Sequence, residues 1–107
     1  MSDIALLHVT FGTADEAEAV ARTVIEERLA ACANVMASCT SVYRWKDGVE
    51  VEIETPVLFK TAMGQALALR DRIVALHSYD TPVIELWPAA TTEGVIAWID
   101  EAAGDEA

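Results

Sequence analysis

Hydrophobic and polar positions follow two rhythms along the chain, and their order predicts a fold. Ile4 to Phe11 is a short, apolar, β-rich run, which predicts a buried strand. Gly12 breaks it. Thr13-Ala14-Asp15-Glu16 has the spacing of a capping box, with Thr13 as N-cap and Glu16 three positions on. A helix is expected from there to about Ala30, with Ala17, Val20, Ala21, Val24 and Ile25 forming its apolar face. Ala31 to Met36 reads as extended. Ser38 to Lys46 reads as a strand of β-branched and aromatic residues. Asp47-Gly48 predicts a two-residue type I′ turn, which needs positive φ at both positions. Val49 to Thr61 then returns as a long strand. Val49, Val51, Ile53, Val57 and Phe59 share one face, and Glu50, Glu52, Glu54, Leu58 and Lys60 the other. Pro56 predicts a bulge or kink near Thr55-Pro56, because proline cannot donate inside a ladder.

A second helix is expected from about Gly64 to His77, with Ala66, Leu69, Ile73 and Leu76 inward. Pro82 forbids its continuation. Val83 to Trp87 reads as the last main strand, ended by Pro88. Thr92 is placed to cap a short third helix from Glu93 to about Ala102, with Val95, Trp98 and Ile99 inward. Trp87 and Trp98 read most simply as core anchors. The order βαββαβ plus a terminal helix predicts an α+β chain, a ferredoxin-like sandwich with helices on one sheet face. The 107 residues suit one domain over positions 1–107, with an acidic, mobile tail from about 103.

The two central strands are too long for that domain. Val49 to Thr61 spans about 43 Å at roughly 3.3 Å per residue. The first helix covers only about 25 Å at 1.5 Å per residue. The hairpin therefore overhangs its covering helices, with Tyr43, Trp45, Val49 and Val51 near its tip. A lone hairpin is marginal in water and its open edges invite pairing, so a closed assembly of several copies is expected. The alternative is a bulge that folds the hairpin back over its own domain.

Charge narrows the partners. Acidic residues number 18 against 7 basic ones, for a formal net charge of −11. Phosphate backbones and anionic membrane surfaces are repelled, so neither nucleic acid nor membrane is an expected partner. Cations are attracted, although solubility alone accounts for such a surface. No apolar run approaches the roughly 20 residues of a membrane span. The Ile4 to Val9 run lacks a basic leader segment, and a cytoplasmic location is expected. Cys32 and Cys39 match no close-paired zinc spacing and are expected as free, buried thiols.

Several residues carry possible chemistry. His77 suits copper and other late transition ions, or it closes a helix at the negative end of the dipole. Cys32 is a soft ligand or a small core residue, and Cys39 a structural thiol. Glu85 is a nearby carboxylate. His8 reads as a satisfied core or interface histidine. If the Asp47-Gly48 turn sets the register, Trp45 opposes Glu50, Tyr43 opposes Glu52 and Ser41 opposes Glu54. Two aromatics then share a face with three carboxylates, which frames either a cation site between subunits or an ordinary solvated rim. There is no nucleophile elbow, phosphate loop or dinucleotide fingerprint.

Read together, these segments resemble the CutA divalent-cation-tolerance family over nearly the whole chain. Arg28-Leu29-Ala30-Ala31-Cys32-Ala33-Asn34-Val35 is similar to the family's end of the first helix. Thr40-Ser41-Val42-Tyr43-Arg44-Trp45, a turn and Glu50 resemble its hairpin, and Lys60-Thr61 the end of its long strand. His77-Ser78-Tyr79-Asp80-Thr81-Pro82 is similar to its His-Pro-Tyr-x-x-Pro motif, and Gly94 with Ala97-Trp98-Ile99 to its last helix. The resemblance implies a ferredoxin-like homotrimer, related in architecture to PII signalling proteins and tied to tolerance of copper and other divalent cations. It requires no cofactor. Two positions depart from the pattern. Ser78 stands where the family has Pro, and Val83 where it has Glu, which removes a carboxylate near His77.

Three functions follow from this reading. The first is a non-enzymatic trimer responding to divalent metal ions, with His77, Cys32 and Glu85 as ligands and Tyr43, Trp45, Glu50, Glu52, Lys60 and Tyr79 at an interface or pocket. The second is a PII-like module that senses a small ligand in clefts between chains, an argument from fold alone. The third is an enzyme with a pocket between subunits, built from Lys60, His77, Tyr79 and Tyr43.

Overall fold

A computed structural model describes residues 2–104. The acidic positions Asp105 and Glu106 of the expected tail lie outside the described residues. Strand β1 (Ser2–Phe11) is followed by α1 (Ala14–Glu26), β2 (Cys32–Val35), β3 (Cys39–Trp45) and β4 (Gly48–Thr61). A 3-10 turn at Met63–Gln65 leads into α2 (Ala66–Leu76), then β5 (Ile84–Thr91) and α3 (Glu93–Ala103). The strands are antiparallel, in the order β2-β4-β1-β5, with β3 paired to β4 beyond β2.

The alternation along β1 and β4 places the core. Leu7 opposes Phe59 and Val9 opposes Val57, all fully buried. Ala17, Val20, Ala21 and Val24 of α1 and Ala66, Leu69 and Ile73 of α2 close over them. Phe11 meets Phe59 edge-on, with ring centroids 6.5 Å apart.

Helix α1 starts as expected, with Glu16 N–H donating to Thr13 Oγ1 at 3.1 Å. It ends earlier than the periodicity suggests, at Glu26 rather than near Ala30. Arg28 takes a left-handed φ of 63°, and Leu29 N–H turns back to the Val24 carbonyl at 2.9 Å. Arg28 stands where a helix end favours glycine, and its guanidinium donates to the Glu101 carbonyl at the end of α3.

The hairpin differs from the expected one in register. The turn residues are Lys46 and Asp47, with Trp45 opposite Gly48. Only Lys46 has positive φ, at 54°, so the turn lacks the paired left-handed residues of type I′. Tyr43 therefore opposes Glu50 and Ser41 opposes Glu52, two positions away from the expected pairing. A slip of two keeps every side chain on its face, so the aromatics and carboxylates still share one surface.

Pro56 produces no bulge in β4, which keeps one register with β1 from Thr55 to Thr61. The irregularity lies opposite, where Met36 to Ser38 separate β2 from β3. Met36 N–H donates to the Pro56 carbonyl at 2.9 Å. A strand residue's N and O face the same neighbour, so the missing N–H falls at that gap.

Pro88 does not end β5. It pairs with Ala5 inside the strand, which is tolerated because β5 is an edge. Thr92 sits at the N-cap of α3 but makes no side-chain capping bond. Ala103, expected in the tail, is buried as the last residue of α3. Trp87 and Trp98 are not core anchors. They are 39% and 47% exposed, and α3 buries Ile99 and Ala103 instead. Both cysteines are free and only half-buried.

The overhang is present. Gly48–Glu54 of β4 pair with β3 alone, and the molecule measures 47 × 25 × 22 Å. On one face of this arm Val42, Val51 and Ile53 are 65%, 62% and 63% exposed.

Candidate functional site: a cleft at the root of the hairpin

Where the arm leaves the body, its carboxylate-bearing face forms one wall of a cleft of about 630 Å³. Ser41, Tyr43 and Trp45 come from β3, and Glu52 and Glu54 from β4. His8 and Thr10 come from β1, and Glu85 from β5. Tyr79, Asp80, Thr81 and Val83 come from the segment after α2, and Arg44 stands at the arm's end.

A hydrogen-bonded chain builds the inner end. His77 ends α2, and its side chain is fully buried, stacked on Phe11 at a centroid distance of 4.5 Å. Tyr79 N–H donates to His77 Nδ1 at 3.1 Å, which makes Nδ1 an acceptor. The proton then lies on Nε2, which donates to the Thr10 carbonyl at 2.8 Å. Neither nitrogen is left a free lone pair, so a metal at His77 has to displace one of these bonds. The Tyr79 hydroxyl donates to Glu54 Oε2 at 2.9 Å, from a ring tilted against His77. Burial first, and the Glu54 carboxylate second, hold the Tyr79 phenol well above its ordinary pKa. Tyr43 is also raised, by desolvation first and by neighbouring Glu52 next.

Gly12 makes room for this arrangement. A Cβ there would stand 3.3 Å from the Tyr79 hydroxyl. Glu16 does not return its carboxylate to Thr13 as a full capping box requires. It accepts instead from Ser78 N–H at 2.8 Å and Ser78 Oγ–H at 2.9 Å. A proline at position 78 has no N–H, so Ser78 makes this clamp possible. The capping-box pattern had accounted for Glu16, and nothing in the sequence pointed to this second role.

The expected site residues are divided. Tyr43, Trp45, Glu52, Tyr79 and Glu85 line the cleft. Glu50 opposes Tyr43 further out. Lys60 lies elsewhere on the sheet, opposite Cys32 and Leu6, so within one chain it does not join His77, Tyr79 and Tyr43. Cys32 makes a long contact with Asn34 Oδ1 at 3.7 Å. Among the described residues no three His, Cys, Asp or Glu side chains converge as metal ligands. His8 is half-exposed with Nδ1 3.1 Å from Glu85 Oε1, a cross-strand pair that the sequence pattern did not single out. Val83, 60% exposed, lies on the cleft wall without a carboxylate.

Residues 5–102 match the family model described as CutA1 divalent ion tolerance protein. The chain belongs to this family. The divalent-cation tolerance protein CutA of Thermus thermophilus is 35% identical over 97 residues, covering 90% of this chain and 94% of the relative. The CutA1 crystal structure from Ehrlichia chaffeensis superposes with a TM-score of 0.90 at 32% identity, covering 96% of this chain and 97% of the other. CutA from Archaeoglobus fulgidus, described as periplasmic, superposes at 0.89 with 31% identity, covering 94% and 98%. Among the described residues of this CutA-family chain, no helix is long and apolar enough to cross a membrane.

Proposed function

We propose that the chain acts in tolerance of divalent cations, copper first, as a non-enzymatic, cytoplasmic homotrimer of ferredoxin-like chains. The match to the divalent ion tolerance family over residues 5–102 carries this reading. The trimer draws support from the arm, whose exposed valine and isoleucine face needs cover that its own domain does not supply. Among the described residues of one chain no three ligands come together, and a site where chains meet would complete the set. Glu85 and the adjacent His8 imidazole offer one chain's share, since imidazole and carboxylate both suit divalent copper. His77 supports the wall beside them, and Cys32 lies outside this ligand set.

The test is a calorimetric copper titration of the reduced protein in excess magnesium. Copper binds many surfaces loosely, so stoichiometry decides. Saturable binding at a whole-number ratio, lost in Glu85→Gln and His8→Asn but kept in His77→Ala, is expected. Loose binding indifferent to all three substitutions contradicts the site.

A further inference from the structure

Helix α2 buries Ala66, Leu69 and Ile73, yet its outer side is not polar. Leu67 and Val74 are 59% and 47% exposed, and Met63 in the turn before them is 47% exposed. A helix packed by one face ordinarily turns polar residues outward. Positions 63, 67, 70, 71 and 74 follow the spacing of a single helical stripe. Arg70 and Asp71 stand midway between Leu67 and Val74, and both are well exposed.

This stripe is complementary to itself. Two copies of α2 laid antiparallel, about a two-fold axis between positions 70 and 71, bring Leu67 against Val74 and Arg70 against Asp71 at both ends of the axis. A parallel pair sets Arg70 against Arg70 and Asp71 against Asp71, which like charges oppose. Within one chain Arg70 donates through Nε and Nη2 to Asp71 Oδ1, each at 3.0 Å. Asp71 Oδ2 accepts no hydrogen bond among the described residues and is left for a second guanidinium.

Charge also selects the occupant. With a net charge of −11, copies of the chain repel one another over most of their surface. The stripe carries one charge of each sign, so it is a place where copies meet without that repulsion. A neutral stripe gives an anionic membrane no electrostatic hold, whereas a second copy matches it in both charge and apolar positions.

We propose that the outer face of α2 is a self-association surface, on which two copies of the chain pair antiparallel about Arg70 and Asp71. The 11 residues of α2 rise about 16 Å, and a stable interface needs roughly 1,200 Å². The pairing therefore belongs to concentrated protein. It is separate from the contact through the arm and does not depend on it.

The experiment is sedimentation equilibrium of the full chain at rising concentration, with the mass in dilute solution as reference. A reversible rise above the dilute mass is expected. Leu67→Asn, which leaves the charge unchanged at an exposed position, should abolish the rise and keep the dilute mass. Arg70→Asp and Asp71→Arg should each suppress it alone, and mixing the two variants should restore it, since each supplies the charge that the other lacks. A native mass that stays constant up to about 1 mM overturns the proposal. So does a rise untouched by Leu67→Asn, or a mixture no heavier than either variant by itself.

Discussion

The two halves of β4 carry similar alternation and meet opposite fates. From Val57 to Thr61 the inward residues are fully buried beneath α1 and α2. From Val49 to Ile53 the residues of the same parity are mostly exposed. Alternation therefore reports that a face is to be covered, without saying by what. The body covers its face with its own helices, and the arm's face has no such cover within its own chain. Tyr79 joins the regions, through His77 to the body and through Glu54 to the arm.

The largest contrast is expected from core truncation. Phe59→Ala should destabilise the chain by about 3–5 kcal/mol in chemical denaturation, since the ring is fully buried. Ile53→Ala, the same kind of truncation on the arm, should alter the stability of an isolated chain by less than about 0.5 kcal/mol. Equal losses would mean that the arm's face is already packed within one chain.

Gly12→Ala strikes the joint. The added methyl crowds the Tyr79 hydroxyl, and about 1–3 kcal/mol should be lost as the ring moves away from Glu54. A crystal structure of the variant should show the Tyr79–Glu54 bond lengthened. Thr13→Ala, a body control at the start of α1, should cost about 1 kcal/mol through the lost cap and leave that bond intact.

The smallest effect is alkaline. The folded state keeps the Tyr79 phenol protonated where the unfolded chain releases it. Its stabilising share is therefore complete below about pH 10 and declines as the pH rises further. Denaturation followed across that range should show a steeper alkaline loss in the native chain than in Tyr79→Phe. Identical profiles would remove the proposed link.

Much of this architecture was legible in the sequence because its signals are local. Strand alternation and the 3.6-residue period of α1 located the body, and the excess length of the hairpin strands located the arm. The hairpin register was misread because Asp47-Gly48 is a strong turn pair, yet the left-handed conformation falls on Lys46. Face assignments survived because the error was an even number of residues. The helix end at Arg28 and the exposure of Trp98 depend on contacts between distant segments, which periodicity does not encode. In the cleft, the shared face of Tyr43, Trp45 and the arm's carboxylates followed from parity. The His8–Glu85 pair and the Glu16–Ser78 clamp arise from chain crossings, so neither was visible beforehand.

The central claim is that the arm's aliphatic face is completed by other copies of the chain. Light scattering on the native protein and on a Val42→Asp, Val51→Asp double variant tests it directly. The account predicts three chains of 11.5 kDa each for the native protein, and folded single chains for the variant. A native protein that runs as a single chain, or a variant that keeps the native mass, would contradict it.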